Sequence, residues 1–116
     1  MRSSVTTGLA LACLMALAAA GAPALAADVD ADAAQALIKK NDCGKCHSLD
    51  REKKAPSWKK IASKNKGKPD IEEKFIKHLT TSPKVKLDDG TEEEHKAINT
   101  KDVAAIKNLI AWVLSR

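Results

Sequence analysis

The sequence is poor in the side chains from which small proteins usually build a core. Its 116 residues include one phenylalanine, two tryptophans and no tyrosine. It also lacks any convincing alternation of apolar and polar residues, so no strand is predicted. A domain of this size buries only about 60–65% of its unfolded surface and often needs a disulfide, a metal or another large apolar object inside. We therefore expect something other than aromatic side chains to fill the interior.

The N-terminal segment differs from the rest of the chain. Arg2 is its only charged residue, and residues 8–20 are almost wholly Leu, Ala and Met. It ends in Ala24-Leu25-Ala26, the small-x-small pattern of a signal-peptidase site. A membrane anchor is the alternative, but the apolar run is shorter than the ~20 residues that span a bilayer. We predict a signal peptide over residues 1–26, a single domain over residues 27–116, and no membrane anchor after cleavage.

Removal of this segment changes the composition that matters for function. Met1 and Met15 both leave with it, so the predicted domain contains no methionine. Two cysteines remain, Cys43 and Cys46, and the net charge falls from +5 to +4. Because this charge is modest and acidic residues are interspersed with the basic ones, nucleic acid is not an expected partner.

Apolar spacing predicts four helices and hence an all-α fold. A first helix covers about 32–41, and a second begins near Ser57. Asp70 is predicted to be the N-cap of the third helix, with Glu73 completing a capping box. The last helix covers about 100–115. Its predicted apolar stripe consists of Val103, Ile106, Ile110, Val113 and Leu114, widened by Leu109 and Trp112.

The segment between the third and fourth helices is polar. Pro83 ends the third helix, whose apolar stripe is Ile71, Phe75 and Leu79. Asp88-Asp89-Gly90 is a turn signal. Thr91 and Glu94 have the spacing of a second capping box, which predicts a single helical turn there.

The chemistry is carried by Cys43-Gly44-Lys45-Cys46-His47, which has the C-x-x-C-H pattern of a c-type haem attachment site. Two thiols at this spacing can each bond one vinyl group of a porphyrin, and the adjacent imidazole can be the proximal iron ligand. A thioredoxin-like site is an alternative, but it requires strands that are not predicted. A zinc site would use His78 and His95, whose sixteen intervening residues exceed the usual 3–5. A plain disulfide is the third alternative, although it would close only a very short loop.

The order of these elements resembles that of small bacterial class I cytochromes c. The resemblance rests on a helix leading into C-x-x-C-H, then Ala55-Pro56-Ser57-Trp58, and a closing helix with Leu109-Ile110-Ala111-Trp112. It implies about four helices around one haem c, bound covalently through Cys43 and Cys46.

The resemblance also implies roles for individual residues. Pro56 matches the proline whose carbonyl accepts a hydrogen bond from the proximal histidine, here His47. Trp58 matches an aromatic position of the haem pocket, although an ordinary core position is an equal alternative. The first and last helices should pack with Leu37 and Trp112 near their contact.

One family feature is missing, because the usual distal ligand is a methionine before the last helix. Alignment on that helix places His95 at or next to the methionine position, which predicts iron ligation by His47 and His95. His78, a lysine or asparagine, and an open site are the alternatives. Since methionine opposite histidine raises the reduction potential, its replacement by imidazole should lower it.

These features favour an electron-transfer protein rather than an enzyme. The alternative is a haem protein that binds or senses CO, NO or O₂ at a labile or open distal site. Surface lysines that follow the haem motif favour redox partners with an acidic docking surface. The predicted signal and the haem motif together favour a periplasmic location, and we expect a monomer.

Overall fold

A computed structural model describes residues 28–116, and the predicted signal peptide over residues 1–26 lies outside this range. The described chain is mostly helical, as predicted. Its elements, in order, are helix α1 (Ala31–Lys40), a 3-10 turn (Cys43–Lys45), helix α2 (Trp58–Asn65), helix α3 (Ile71–Thr80), strand β1 (Lys84–Lys86), strand β2 (Glu92–Glu94) and helix α4 (Val103–Leu114).

Three of the four helices begin at a capping side chain. The Asp30 carboxylate accepts a hydrogen bond from the Ala33 amide, the Ser57 hydroxyl from the Lys60 amide, and the Asp102 carboxylate from the Ala105 amide. Each satisfies a backbone N–H that has no partner within the helix. These side chains therefore fix where α1, α2 and α4 start.

The capping box predicted for α3 is wrong in its chemistry although right in its position. Asp70 occupies the N-cap, but its backbone is left-handed with φ at 58°, and its side chain makes no capping hydrogen bond. The usual N-cap residue is extended, which lets its side chain reach back to the first turn. Because Asp70 is not extended, the Asp70–Glu73 reciprocal pair does not form.

The helical turn predicted from Thr91 and Glu94 is also wrong. Residues 84–94 form an antiparallel hairpin, in which Lys84 lies opposite Glu94 and Lys86 lies opposite Glu92. Opposite charges directly across a strand pair stabilise it modestly. The hairpin places the segment after β2 beside the end of α3.

The core lies where α1, α2 and α3 pack against α4. Ile106 and Ile110 of α4 are each only 2% exposed, and Trp112 belongs to the same buried cluster. Leu37 of α1 packs against this cluster, so the predicted contact of the first and last helices is confirmed. Val103 is 53% exposed, contrary to its predicted place in the stripe, because the buried stripe begins one turn later at Ile106.

No helix within residues 28–116 combines the length and apolar character required to cross a membrane.

Candidate functional site

The two cysteines sit on a tight turn that begins directly after α1. The amides of Cys46 and His47 both donate to the Cys43 carbonyl, at 3.2 and 3.0 Å. Both thiols are free and half-buried. Burial raises the pKa of the Cys43 thiol, which favours its neutral form. The turn therefore presents two thiols and one imidazole to the same side of the chain.

The His47 ring is held on two sides. Its Nδ1 lies 2.7 Å from the Pro56 carbonyl oxygen, and because a carbonyl only accepts, Nδ1 is the donor. The ring stacks on Trp58 with centroids 4.4 Å apart, and Trp58 meets Trp112 edge-on at 6.2 Å. With Nδ1 engaged, Nε2 is the nitrogen left to bind a metal. The hydrogen bond expected between Pro56 and His47 is thus present.

His95 enters the site from the segment that follows β2. Its amide donates to the Pro83 carbonyl, and the Ile98 amide donates to the Leu79 carbonyl, both at 2.8 Å. These bonds attach the segment to the C-terminal end of α3. The His95 Nδ1 is buried and has no hydrogen-bond partner.

The three histidines of the described chain form a row. The centroids of His47 and His95 are 6.4 Å apart with a 49° angle between planes, and those of His95 and His78 are 4.3 Å apart. Burial lowers the pKa of each of the three rings below its usual value. The charges of His78 and His47 lower the pKa of His95 further. All three are therefore biased toward the neutral imidazole, the form that binds a metal.

The histidines line a cavity of about 700 Å³. Its wall includes both cysteines, Pro56 and Trp58, and apolar side chains from α3 and α4, among them Phe75 and Ile110. Ile71 and Leu79 also border it, which explains why the predicted α3 stripe is only half-buried. The cavity is the large apolar interior that the scarcity of aromatic residues led us to expect, and its volume is typical of a cofactor site.

The residues present fit a covalently bound haem. Two free thiols and an imidazole lie on one turn at one side of the cavity, and His95 carries a buried nitrogen without a protein partner at another. Among residues 28–116 no group of three or more histidine, cysteine or acidic side chains is placed to hold a metal ion.

Comparison with known proteins agrees with this geometry. The family model for cytochrome c matches residues 31–116. The chain belongs to the cytochrome c family. The crystal structure of the class 1 cytochrome MtoD from Sideroxydans lithotrophicus ES-1 is 52% identical, with a TM-score of 0.72 over 76% of this chain and 97% of that chain. Among curated proteins, the comparison finds no match.

The predicted class I cytochrome c fold is confirmed, with a small hairpin added to the four helices. The cytochrome carries haem c, and Cys43 and Cys46 occupy the positions of its two attachment cysteines. Family membership also supports electron transfer with redox partner proteins.

Two features of the site were not found by sequence reasoning. The hairpin supplies Val85 and Leu87 to the cavity wall. Asn41, only 4% exposed, also lines the cavity. An asparagine at a helix end is a recognised capping signal. Because Asn41 directly follows α1, the sequence did indicate a structural role for it at the end of that helix.

Proposed function

We propose that this cytochrome is a periplasmic electron-transfer protein whose iron is ligated by His47 and His95. The observation that carries the ligand assignment is the 6.4 Å separation of the two ring centroids. A metal–imidazole bond is about 2 Å long, so two opposed ligating rings have centroids about 6 Å apart. The two rings thus lie at a spacing that allows one iron between them.

The supports of the two rings differ, and this difference favours His95 as the distal ligand. His47 is fixed by the Pro56 carbonyl and the Trp58 ring. The polypeptide around His95 is fixed by backbone hydrogen bonds, while its ring has a buried nitrogen without a partner. A buried polar atom without a partner is costly, and an iron bound at this nitrogen would supply the partner that it lacks.

His78 is the competing ligand, since its ring touches that of His95. Both rings line the cavity, but the ring that stands 6.4 Å from His47 is that of His95, and the ring of His78 packs against His95 instead. We assign His78 to the cavity wall beside the distal ligand.

Ligation by two imidazoles sets the electronic character of the site. The haem supplies reversible one-electron chemistry. Imidazole in place of methionine favours the ferric state and lowers the reduction potential. If His47 and His95 both hold the iron, little rearrangement would be needed on electron transfer, and no open site would remain for a substrate. We therefore propose electron transfer rather than catalysis.

Paired variants test the ligand assignment. The ferric wild-type protein should give a low-spin EPR spectrum typical of two imidazole ligands. His95→Ala should abolish it, produce a high-spin signal, allow CO to bind the ferrous protein rapidly, and recover the low-spin signal when imidazole is added.

His78→Ala is the matched control, and it should retain the wild-type spectrum. The opposite pattern, in which His78→Ala alone loses the low-spin signal, would assign the ligand to His78. Rapid CO binding by the wild-type protein would instead support the alternative of a haem protein that binds or senses small ligands.

The partner surface is proposed from charge. Exposed lysines follow the haem motif and continue along α2 to the turn beyond it, namely Lys53, Lys54, Lys59, Lys64, Lys66 and Lys68. Lys60 is different, because it forms an ion pair with Glu52. Clustered unpaired cations accelerate association with an acidic partner and lose this effect as salt is added.

Stopped-flow electron transfer to an acidic redox protein tests this surface. Lys64→Glu should slow association at low ionic strength and flatten the salt dependence, whereas Lys101→Glu, outside this group, should have less effect. Equal effects of the two variants would contradict a localised docking surface.

The export proposal rests on the N-terminal sequence pattern and on the presence of haem c. N-terminal sequencing of the protein from a periplasmic extract should begin at Ala27, and size-exclusion chromatography should give a monomer. A protein that starts at Met1 would refute cleavage.

A further inference from the structure

We propose that Asn41 is a positioning residue that holds residues 95–99, the distal segment, in place and so keeps His95 on the iron. This inference rests on the proposed ligation by His95. The hydrogen bonds of the buried Asn41 amide go to Leu37 and Asn99 rather than to His95.

Asn41 joins two parts of the chain that are far apart in sequence. Its side-chain oxygen accepts a hydrogen bond from the Asn99 amide at 2.7 Å, across 58 residues. Its Nδ2 donates to the Leu37 carbonyl at 2.9 Å. One side of the amide thus binds the end of α1, just before the haem-attachment turn, and the other binds the segment that carries His95.

The location of Asn41 makes this connection strong. The residue is 4% exposed, so water does not readily replace either bond. A buried hydrogen-bonding group that loses its partner carries a desolvation penalty, whereas an exposed pair contributes little. The neighbouring bridge between Asp42 and Lys96 spans the same gap at 3.4 Å, but both of its side chains are about half-exposed or more. Asn41 is therefore the stronger of the two connections.

The distal segment is consequently held from both sides. The Leu79 carbonyl in α3 and the Pro83 carbonyl just after it hold one side, and Asn41 at the C-terminal end of α1 holds the other. The His95 amide itself bonds to Pro83, and the bond between Asn99 and Asn41 follows four residues later. Loss of the Asn41 bond would free one side of this segment and allow His95 to leave the iron more often.

The test is the rate at which CO binds the ferrous holoprotein, because CO takes the distal position only when His95 leaves it. Asn41→Leu keeps approximately the same volume and removes both hydrogen bonds, and Asn41→Ala removes the volume as well. We expect CO binding to become about tenfold faster in both variants, the factor that corresponds to about 1.4 kcal/mol. The ferric EPR spectrum should show a new minor high-spin fraction.

Two controls separate positioning from general loss of stability. Ile106→Val weakens the core at a residue that does not line the cavity, and its CO-binding rate should match wild type. Asp42→Asn removes the exposed bridge and should have a much smaller effect than Asn41→Leu.

The proposal would be overturned if Asn41→Leu bound CO at the wild-type rate and gave the wild-type EPR spectrum. It would also be overturned if CO binding were accelerated equally in Ile106→Val. Failure of the ligand assignment itself is distinguishable, because then His95→Ala would leave the wild-type spectrum unchanged.

Discussion

The aromatic support of His47 allows a quantitative prediction. Trp58 stacks on His47 at 4.4 Å and meets Trp112 edge-on at 6.2 Å. Each such pair contributes about 0.5–1.5 kcal/mol beyond the burial of apolar area, so Trp58→Leu, which removes both, should destabilise the holoprotein by about 1–3 kcal/mol. Trp58→Phe retains a ring at this position and should lose less than half of that amount.

Guanidinium denaturation of the ferric holoprotein, followed by circular dichroism, measures the effect. Trp58→Leu should shift the midpoint downward with an unchanged slope. Its low-spin EPR signal should also broaden, because the His47 ring keeps the Pro56 hydrogen bond but loses the face that limits its rotation. A midpoint equal to that of wild type in Trp58→Leu, or equal losses in the leucine and phenylalanine variants, would refute this reasoning.

Two further predictions concern stability. Ile106→Ala, at a side chain 2% exposed, should cost about 2–5 kcal/mol in denaturant unfolding; an unchanged midpoint would contradict the core assignment. Hydrogen bonding to Lys96 and the charge of Lys45 hold the pKa of the Asp42 carboxyl below its usual value. The carboxylate thus stabilises the fold above its unfolded pKa of about 3.9, and this contribution disappears as the pH falls through the lowered folded value. Asp42→Asn should therefore be slightly less stable than wild type at pH 7 and low salt and equal to it in strong acid, whereas a difference that grows on acidification would have the wrong sign.

The helices and the haem motif could be predicted because their signals are local. Ser57 and Asp102 begin helices where their side chains cap the first turn. Cys43, Cys46 and His47 are brought together by a single turn. No long-range information is needed for either kind of feature.

The hairpin could not be predicted because its stability is not local. Glu92–Glu94 has a composition that is unfavourable in strands. The turn brings Lys84 and Lys86 opposite two of the glutamates, and these opposite charges stabilise the pairing. Similarly, the left-handed backbone at Asp70 depends on how the chain enters α3, which no spacing rule describes.

The candidate site was predictable in composition but not in arrangement. The absence of methionine from residues 27–116 pointed to a histidine ligand. The polar context of His95 gave no sign that its ring enters a cavity. The spacing of His47 and His95, the contact of His78 with His95, and the role of Asn41 all depend on tertiary packing. They arise where the segment after β2 meets the ends of α1 and α3.

The most direct test of ligation by two histidines is the reduction potential of His95→Met, measured by protein-film voltammetry beside wild type. Methionine opposite histidine raises the potential, so the variant should titrate at a distinctly higher potential and gain the absorption band of a methionine–iron bond. An unchanged potential with the wild-type spectrum would show that His95 is not the distal ligand.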